Sequence, residues 1–160
     1  MKAQEESRPS LCWTFVSAGA RLCQILGYHR EAVVARDPPM LAEVKRHAFW
    51  MLYMMDKTMS LNLGRISCFP DYDIDVNTFS ESLDARFRPW DRAFLAFIEF
   101  SKLQGRIYDQ LYSSDAQQQQ PETRSRTVEE LCSKFSAWHV KFKRVSLGRR
   151  RYGQADPLSL

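Results

Sequence analysis

The chain has 160 residues, 44% of them hydrophobic and 26% charged, with a formal net charge of +4. That is the balance of one ordinary globular domain, long enough to bury about two thirds of its unfolded surface. No stretch approaches the roughly 18 uninterrupted apolar residues of a membrane span, the start MKAQEESRPS is too polar and acidic for a signal or transit peptide, and six glycines with few β-branched runs argue against a sheet-dominated fold.

In chain order, residues 1–9 read as a disordered N-terminus and a helical domain is expected over 10–145. The first helix, about 10–26, places Leu11, Phe15, Leu22 and Leu26 near one face, with Val16, Cys23 and Ile25 widening it and Gly27 closing it. Asp37-Pro38-Pro39 then delays the next helix to Met40 or Leu41, because a residue before proline is driven out of the α region. Leu41, Val44, Ala48, Met51 and Met55 recur at steps of three and four. Phe49, Leu52, Met59 and Leu63 form a second stripe, and Trp50, Tyr53, Met54 and Leu61 a third. A helix apolar all round is expected to be surrounded by other elements. Asp56 and Lys57 interrupt it, and a carboxylate held there needs a partner, for which Arg65 is the candidate. Gly64 fits the left-handed position that stops the helix.

Asp71, Asp73 and Asp75 occupy the first, third and fifth places of a calcium-loop pattern. Val76 stands where that loop needs glycine and Ser82 where it needs glutamate, so the aspartates read as caps of a short turn with Ile74 and Val76 pointing inward. A third helix begins near Pro89 and carries Phe94, Phe97, Ile98, Leu103, Ile107, Tyr108 and Leu111. SSDAQQQQPE, residues 113–122, reads as a mobile polar link. Thr127 and Glu130 have the spacing of a capping box that starts a fourth helix, in which Val128, Leu131, Phe135, Trp138, Phe142 and Val145 make a seam for a partner helix. Residues 146–160 read as a basic disordered tail. Lys141, Lys143, Arg144, Arg149, Arg150 and Arg151 crowd the C-terminal part, as phosphate-contacting residues or a nuclear import signal, or simply as a solvated helix end.

The run Lys45-Arg46, Phe49-Trp50, Tyr53, Asp56-Lys57, Ser60, Gly64-Arg65, Asp71 and Asp73-Ile74-Asp75-Val76, preceded by Ala20-Arg21-Leu22 and Leu26-Gly27-Tyr28-His29-Arg30, resembles the fungal-specific transcription factor domain, the regulatory middle region of zinc binuclear cluster transcription factors. Ile66-Ser67-Cys68 departs from the proline that usually follows Gly-Arg in that family. The resemblance implies an all-α fold, an irregular helical bundle around a central buried helix, and an incomplete domain belonging to a truncated product or partial gene product. It implies a nuclear location, contact with DNA through a separate six-cysteine zinc cluster, protein partners or a homodimer, and a small-molecule effector. It assigns the matching residues Arg46, Phe49, Trp50, Tyr53, Asp56, Ser60, Gly64, Arg65, Asp71, Asp73 and Asp75 a structural role.

Cys12, Cys23, Cys68 and Cys132 lack any Cys-x-x-Cys spacing, so no cofactor and no structural zinc are expected in this chain itself. His29, His47 and His139 have no ligand-spaced companions and read as structural or surface histidines; Lys45, Arg46 and Arg30 read as a solvated helix edge. Nucleophile elbows and phosphate-cradling glycine loops are absent, so no catalytic residue and no enzyme is expected. The competing expectation is a stand-alone helical protein-interaction module without DNA binding.

Overall fold

The computed structural model describes residues 9–152, with side chains as far as Lys143. It is all-α: α1 (Pro9–Ile25), α2 (Glu31–Val34), α3 (Pro39–Leu63), α4 (Arg88–Ile107), α5 (Ser114–Gln117) and α6 (Pro121–Tyr152), with a 3-10 turn at Asp71–Asp73 and a π turn at Tyr108–Tyr112 extending α4. The long helices start where proline sits in a first turn, at Pro39 and Pro89, because the missing N–H would have no helical acceptor there anyway. α3 stops at Gly64, whose φ of 62° and ψ of 35° are left-handed, and the Arg65 N–H closes back on the Ser60 carbonyl at 2.9 Å.

α3 is the axis of the fold, flanked by α1 on one side and α4 on the other, with α6 laid against the far side of α4. α1 runs antiparallel to it, since Ser10 meets Arg65 and Gly19 lies against Leu52. The extended segment 66–80 passes along a third side as a strap. Phe49, Trp50, Tyr53, Phe69, Val76, Phe79 and Ile98 form the core. Their rings meet edge to face, Phe49 with Trp50 at 5.2 Å and Phe49 with Phe69 at 5.1 Å between centroids.

The fourth side of α3 is open among the described residues. Leu41, Val44, Met51 and Met55, the stripe expected to be enclosed, remain exposed, Met51 by 50%. The helix buries Phe49, Trp50, Tyr53, Asp56, Lys57 and Ser60 instead, because the strap offers partners for Asp56, Lys57, Tyr53 and Trp50 that only this face can reach. α1 differs in the same sense. Leu11, Phe15, Leu22 and Leu26 face water, Phe15 by 67%, while Val16 and Ala20 are buried. Small residues let the axes approach: a Cβ on Gly19 would stand 3.3 Å from Leu52.

The fourth helix starts at Pro121, not at Thr127. The Thr127 hydroxyl donates to the Thr123 carbonyl four residues back, so the expected capping box is an interior turn. The α6 seam does pack on α4: Phe100 stacks on Trp138 at 4.6 Å, Phe97 meets Phe142 at 5.4 Å, and the Trp138 indole N–H donates to the Ala96 carbonyl at 2.7 Å. The segment read as a polar link contains α5, capped by the Ser113 hydroxyl accepting from the Ala116 N–H, with Ala116 buried. The α6 backbone continues to Tyr152, into the segment read as a tail. Residues 1–8 and 153–160, the side chain of Val145, and those of Arg144, Arg149, Arg150 and Arg151 lie outside the described residues.

Candidate functional site: the charge knot and the aspartate strap

α3 presents, one turn after another, a series of polar groups to the strap. At its C-terminal end Asp56 is 0% exposed. Its carboxylate accepts from the Cys68 backbone N–H, at 3.1 and 3.0 Å to its two oxygens, and from the Ser67 hydroxyl. Arg65 is not its partner. The guanidinium turns to the other side, lying 4.7 Å above the Trp13 ring and donating to the Ser10 hydroxyl at 3.2 Å, which ties the start of α1 to the end of α3. The Gly-Arg corner thus aims Arg65 outward and sends Ser67 and Cys68 back over Asp56.

Lys57, beside it, is also buried. Its ammonium donates to the Phe69 carbonyl at 2.7 Å and pairs with Asp71 at 2.8 Å, where the knot reaches water. Room for its stem comes from Gly105 on α4, where a Cβ would stand 3.2 Å from Lys57 Cδ. Tyr53 O–H donates to the same Asp71 oxygen at 2.8 Å; burial, reinforced by that carboxylate, pushes the phenol far above its ordinary pKa. One turn earlier Trp50 Nε1–H donates to the Asn77 carbonyl at 3.0 Å. Burial also raises the Asp109 carboxyl near this knot, against the pull of Lys57, and raises the Cys23 and Cys68 thiols.

The downstream half of the strap is held by α2 and its entry loop. Asp73 pairs with Arg30 and lies 3.8 Å from His29 Nε2, while Asp75 accepts from the Glu31 N–H at 2.9 Å. The Asp75 and Val76 N–H groups both donate to the His29 carbonyl at 3.2 Å. Arg46 bonds both Glu31 and Glu43, whose carboxylates also accept from the Asn77 and Ser80 N–H groups at 2.8 and 3.1 Å. The Arg46 hydrogen bond holds the Glu31 carboxyl below its usual range and raises the guanidinium in return. Lys45 pairs with Asp37 at 2.7 Å. The side chain of Arg46 is only 14% exposed, so Lys45, Arg46 and Arg30 make a bridging network and not a solvated edge.

Of the sequence-selected residues, Tyr53 and Asp71 converge in the knot and Asp56 adjoins it; Asp73 and Asp75 meet α2, and Arg46 governs the strap from the side. Phe49 and Trp50 are core, Ser60 is buried, and Gly64 is the left-handed cap. The three aspartates are drawn to three different partners instead of one another. His47 stacks on Phe79 at 3.8 Å with Nδ1 2.8 Å from the Glu43 carbonyl, and His139 stacks on Phe135, so the histidines stand apart. Among the described residues no three His, Cys, Asp or Glu side chains converge to hold a metal ion, and the four cysteines are free; the zinc cluster does not fit this chain's described part. Glu31, Glu43 and Gly105 do not stand out in the sequence, and Lys57 stands out there only as an interruption of the apolar helix, since the strap and α4 groups they meet are distant in the chain. Two open grooves adjoin Lys102 and Arg106: one of about 380 Å³ toward the strap, one of about 250 Å³ toward α6.

The sequence profile of the "Fungal specific transcription factor domain" matches residues 4–140, which takes in α1 to α5 and continues well into α6. An uncharacterized transcriptional regulatory protein of Schizosaccharomyces pombe is 30% identical over 135 residues, 82% of this chain and 21% of its own length. An ABC-transporter-regulating transcription factor of Aspergillus fumigatus is 24% identical over 84% of this chain and 16% of its own length. The Fusaridione A cluster transcription factor of Fusarium heterosporum is 24% identical over 84% of this chain and 26% of its own length. The chain therefore spans only about a sixth to a quarter of these relatives. No solved structure matches. With a profile match that spans residues 4–140 of 160, this chain belongs to the fungal-specific transcription factor domain family.

Proposed function

We propose that this domain is the regulatory part of a nuclear transcription factor, with DNA read by a zinc binuclear cluster outside this chain and with no catalytic role of its own. The observation that carries the reading is the family match across residues 4–140, which takes in the whole knot and strap, together with relatives named as transcription regulators. The physical role of the site is to make one rigid unit of α2, α3 and the strap, so that a contact at one end is felt at the other. That unit presents an uncharged apolar face, Leu41, Val44, Met51 and Met55 of α3, with Leu11, Phe15 and Leu22 exposed on α1 and Leu26 just past its end. Faces of this kind mark contact sites, here for helices of the same factor.

The test places the chain between a heterologous DNA-binding domain and an activation domain and measures a reporter. Charge on the open face, as in Met51→Glu with Val44→Glu, is expected to change output while the DNA-binding domain still occupies its site. Identical output with and without the domain would refute the regulatory reading. A second reading, a stand-alone interaction module, draws on the same exposed face. Light scattering showing stable self-association of the isolated chain, with reporter output indifferent to the domain, would favour it.

A further inference from the structure

The groove between α4 and α6 is lined from both helices by cations. Lys102 and Arg106 come from α4, Lys134 and Lys141 from α6, over a floor of Leu103 and Trp138. Glu99 is the one acid in its wall, and it is tied to Lys102 at 3.0 Å. Arg106, Lys134 and Lys141 form no hydrogen bond or ion pair among the described residues. Four cations against one carboxylate leave the groove at +3. Such a concentration is not what α4–α6 packing needs, since the aromatic seam Phe97, Phe100, Phe135, Trp138 and Phe142 already holds the helices together.

We propose that this groove, formed by Lys102, Arg106, Lys134 and Lys141, contacts the phosphate backbone of duplex DNA. The inference rests on the placement of this domain beside DNA in the proposed function. Lys134 and Lys141 stand two helical turns apart, about 10.5 Å, and Lys102 and Arg106 one turn, about 6 Å. Those intervals correspond to two or three phosphate steps along a strand that advances about 3.4 Å per step. A small effector is the poorer occupant. The groove is open, and its 250 Å³ falls below the roughly 300 Å³ of sites that bury a ligand. Its indole N–H, the group that would orient one, is already taken by the Ala96 carbonyl. A long polyanion needs neither enclosure nor an orienting donor. The same helix carries Lys143, which adds to the positive charge of α6. Contacts of this type position a protein on DNA without reading bases.

The experiment is fluorescence anisotropy of a labelled random-sequence duplex titrated with the 160-residue chain between 50 and 200 mM KCl. Micromolar binding at low salt is expected. Replacing Lys134 and Lys141 with glutamine should weaken it and flatten the plot of log K against log salt by about 2, and Arg106→Gln by about 1, at roughly 0.9 per phosphate contact. The Lys134→Arg, Lys141→Arg chain should keep the slope, and circular dichroism melting confirms that each variant is folded. A triple glutamine variant at Arg106, Lys134 and Lys141 that retains the wild-type slope overturns the proposal, as does the absence of duplex binding at 50 mM KCl or tighter binding of polyglutamate than of duplex. Loss of binding on replacing Arg149, Arg150 and Arg151 alone, with the groove variants unaffected, removes the groove but leaves the regulatory reading standing.

Discussion

Replacing Asp56 with alanine removes the acceptor on which the return of the strap depends. In the native protein the carboxylate, sealed from water, receives the Cys68 N–H and the Ser67 hydroxyl. Truncation strands these two donors unequally. The Ser67 hydroxyl still has the Phe69 carbonyl at 3.2 Å, whereas no other acceptor is in place for the Cys68 N–H. One stranded buried donor costs about 1–3 kcal/mol, and a lost hydrogen bond to a charged group about 1.5–3 kcal/mol with part of that cost shared. The relief of desolvating the carboxylate offsets some of it. A net loss of about 3 kcal/mol results, or a fall in Tm of roughly 6–12 °C for a domain of this size. Urea unfolding followed by helical circular dichroism should show a lower midpoint at an unchanged slope. Asp56→Asn keeps one acceptor oxygen and should lose about half as much. A loss below 1 kcal/mol for Asp56→Ala would refute the reasoning, because it would mean the carboxylate is solvated or the strap is not held there.

Removing the Tyr53 hydroxyl with Tyr53→Phe deletes one hydrogen bond to Asp71 and should cost about 1 kcal/mol by the same unfolding measurement. Because the folded-state pKa of Tyr53 is raised above its unfolded value near 10, its contribution is fully present below that pH and is lost as pH climbs beyond it; phenolate absorbance of this residue should appear only with unfolding. Glu31 has the opposite sign. Its pKa is depressed below 4.5, chiefly by the Arg46 hydrogen bond, so its contribution is present above pH 4.5 and fades as pH falls through the lower folded value. Arg46→Gln should cost about 1–2 kcal/mol at pH 7 and flatten that acid limb of stability. Gly64→Ala meets no atom within 4 Å but must adopt a φ of 62°, so it should cost about 1 kcal/mol, recovered in part by Gly64→Asn.

The starts of α3 and α4 and the ends of α1 and α3 are legible because proline and glycine mark them by covalent geometry, and Asp56 stands out because a charge inside an apolar helix demands an explanation. Its partner was not legible. Sequence reasoning looks for an opposite charge and found Arg65, while the carboxylate is satisfied by a backbone N–H and a hydroxyl, groups present almost everywhere in a chain. Arg46 looked solvated because Glu31, the partner that draws it from water, reaches it only when α2 folds against α3, while Glu43 sits one turn before it on the same helix. Bulk alone points to the wrong faces of α1 and α3, because packing follows close approach and polar satisfaction. Gly19 and Ala20 admit α3 where Phe15 and Leu22 would not, and the face of α3 that bonds the strap is the one buried. Thr127 and Glu130 carry the spacing of a cap without being at a helix end, since Pro121 begins α6 six residues earlier.

Native-state hydrogen exchange on the intact chain asks whether the strap is bound to α3 as one unit. The Cys68, Val76 and Asn77 amides, which donate to Asp56, the His29 carbonyl and Glu31, should exchange at rates within an order of magnitude of the buried amides of α3 at Tyr53 and Asp56, opening only when the helix does. Exchange of those three amides within seconds, while α3 stays protected for hours, would mean that the strap lies loose on the helix and that the knot does not hold the domain together.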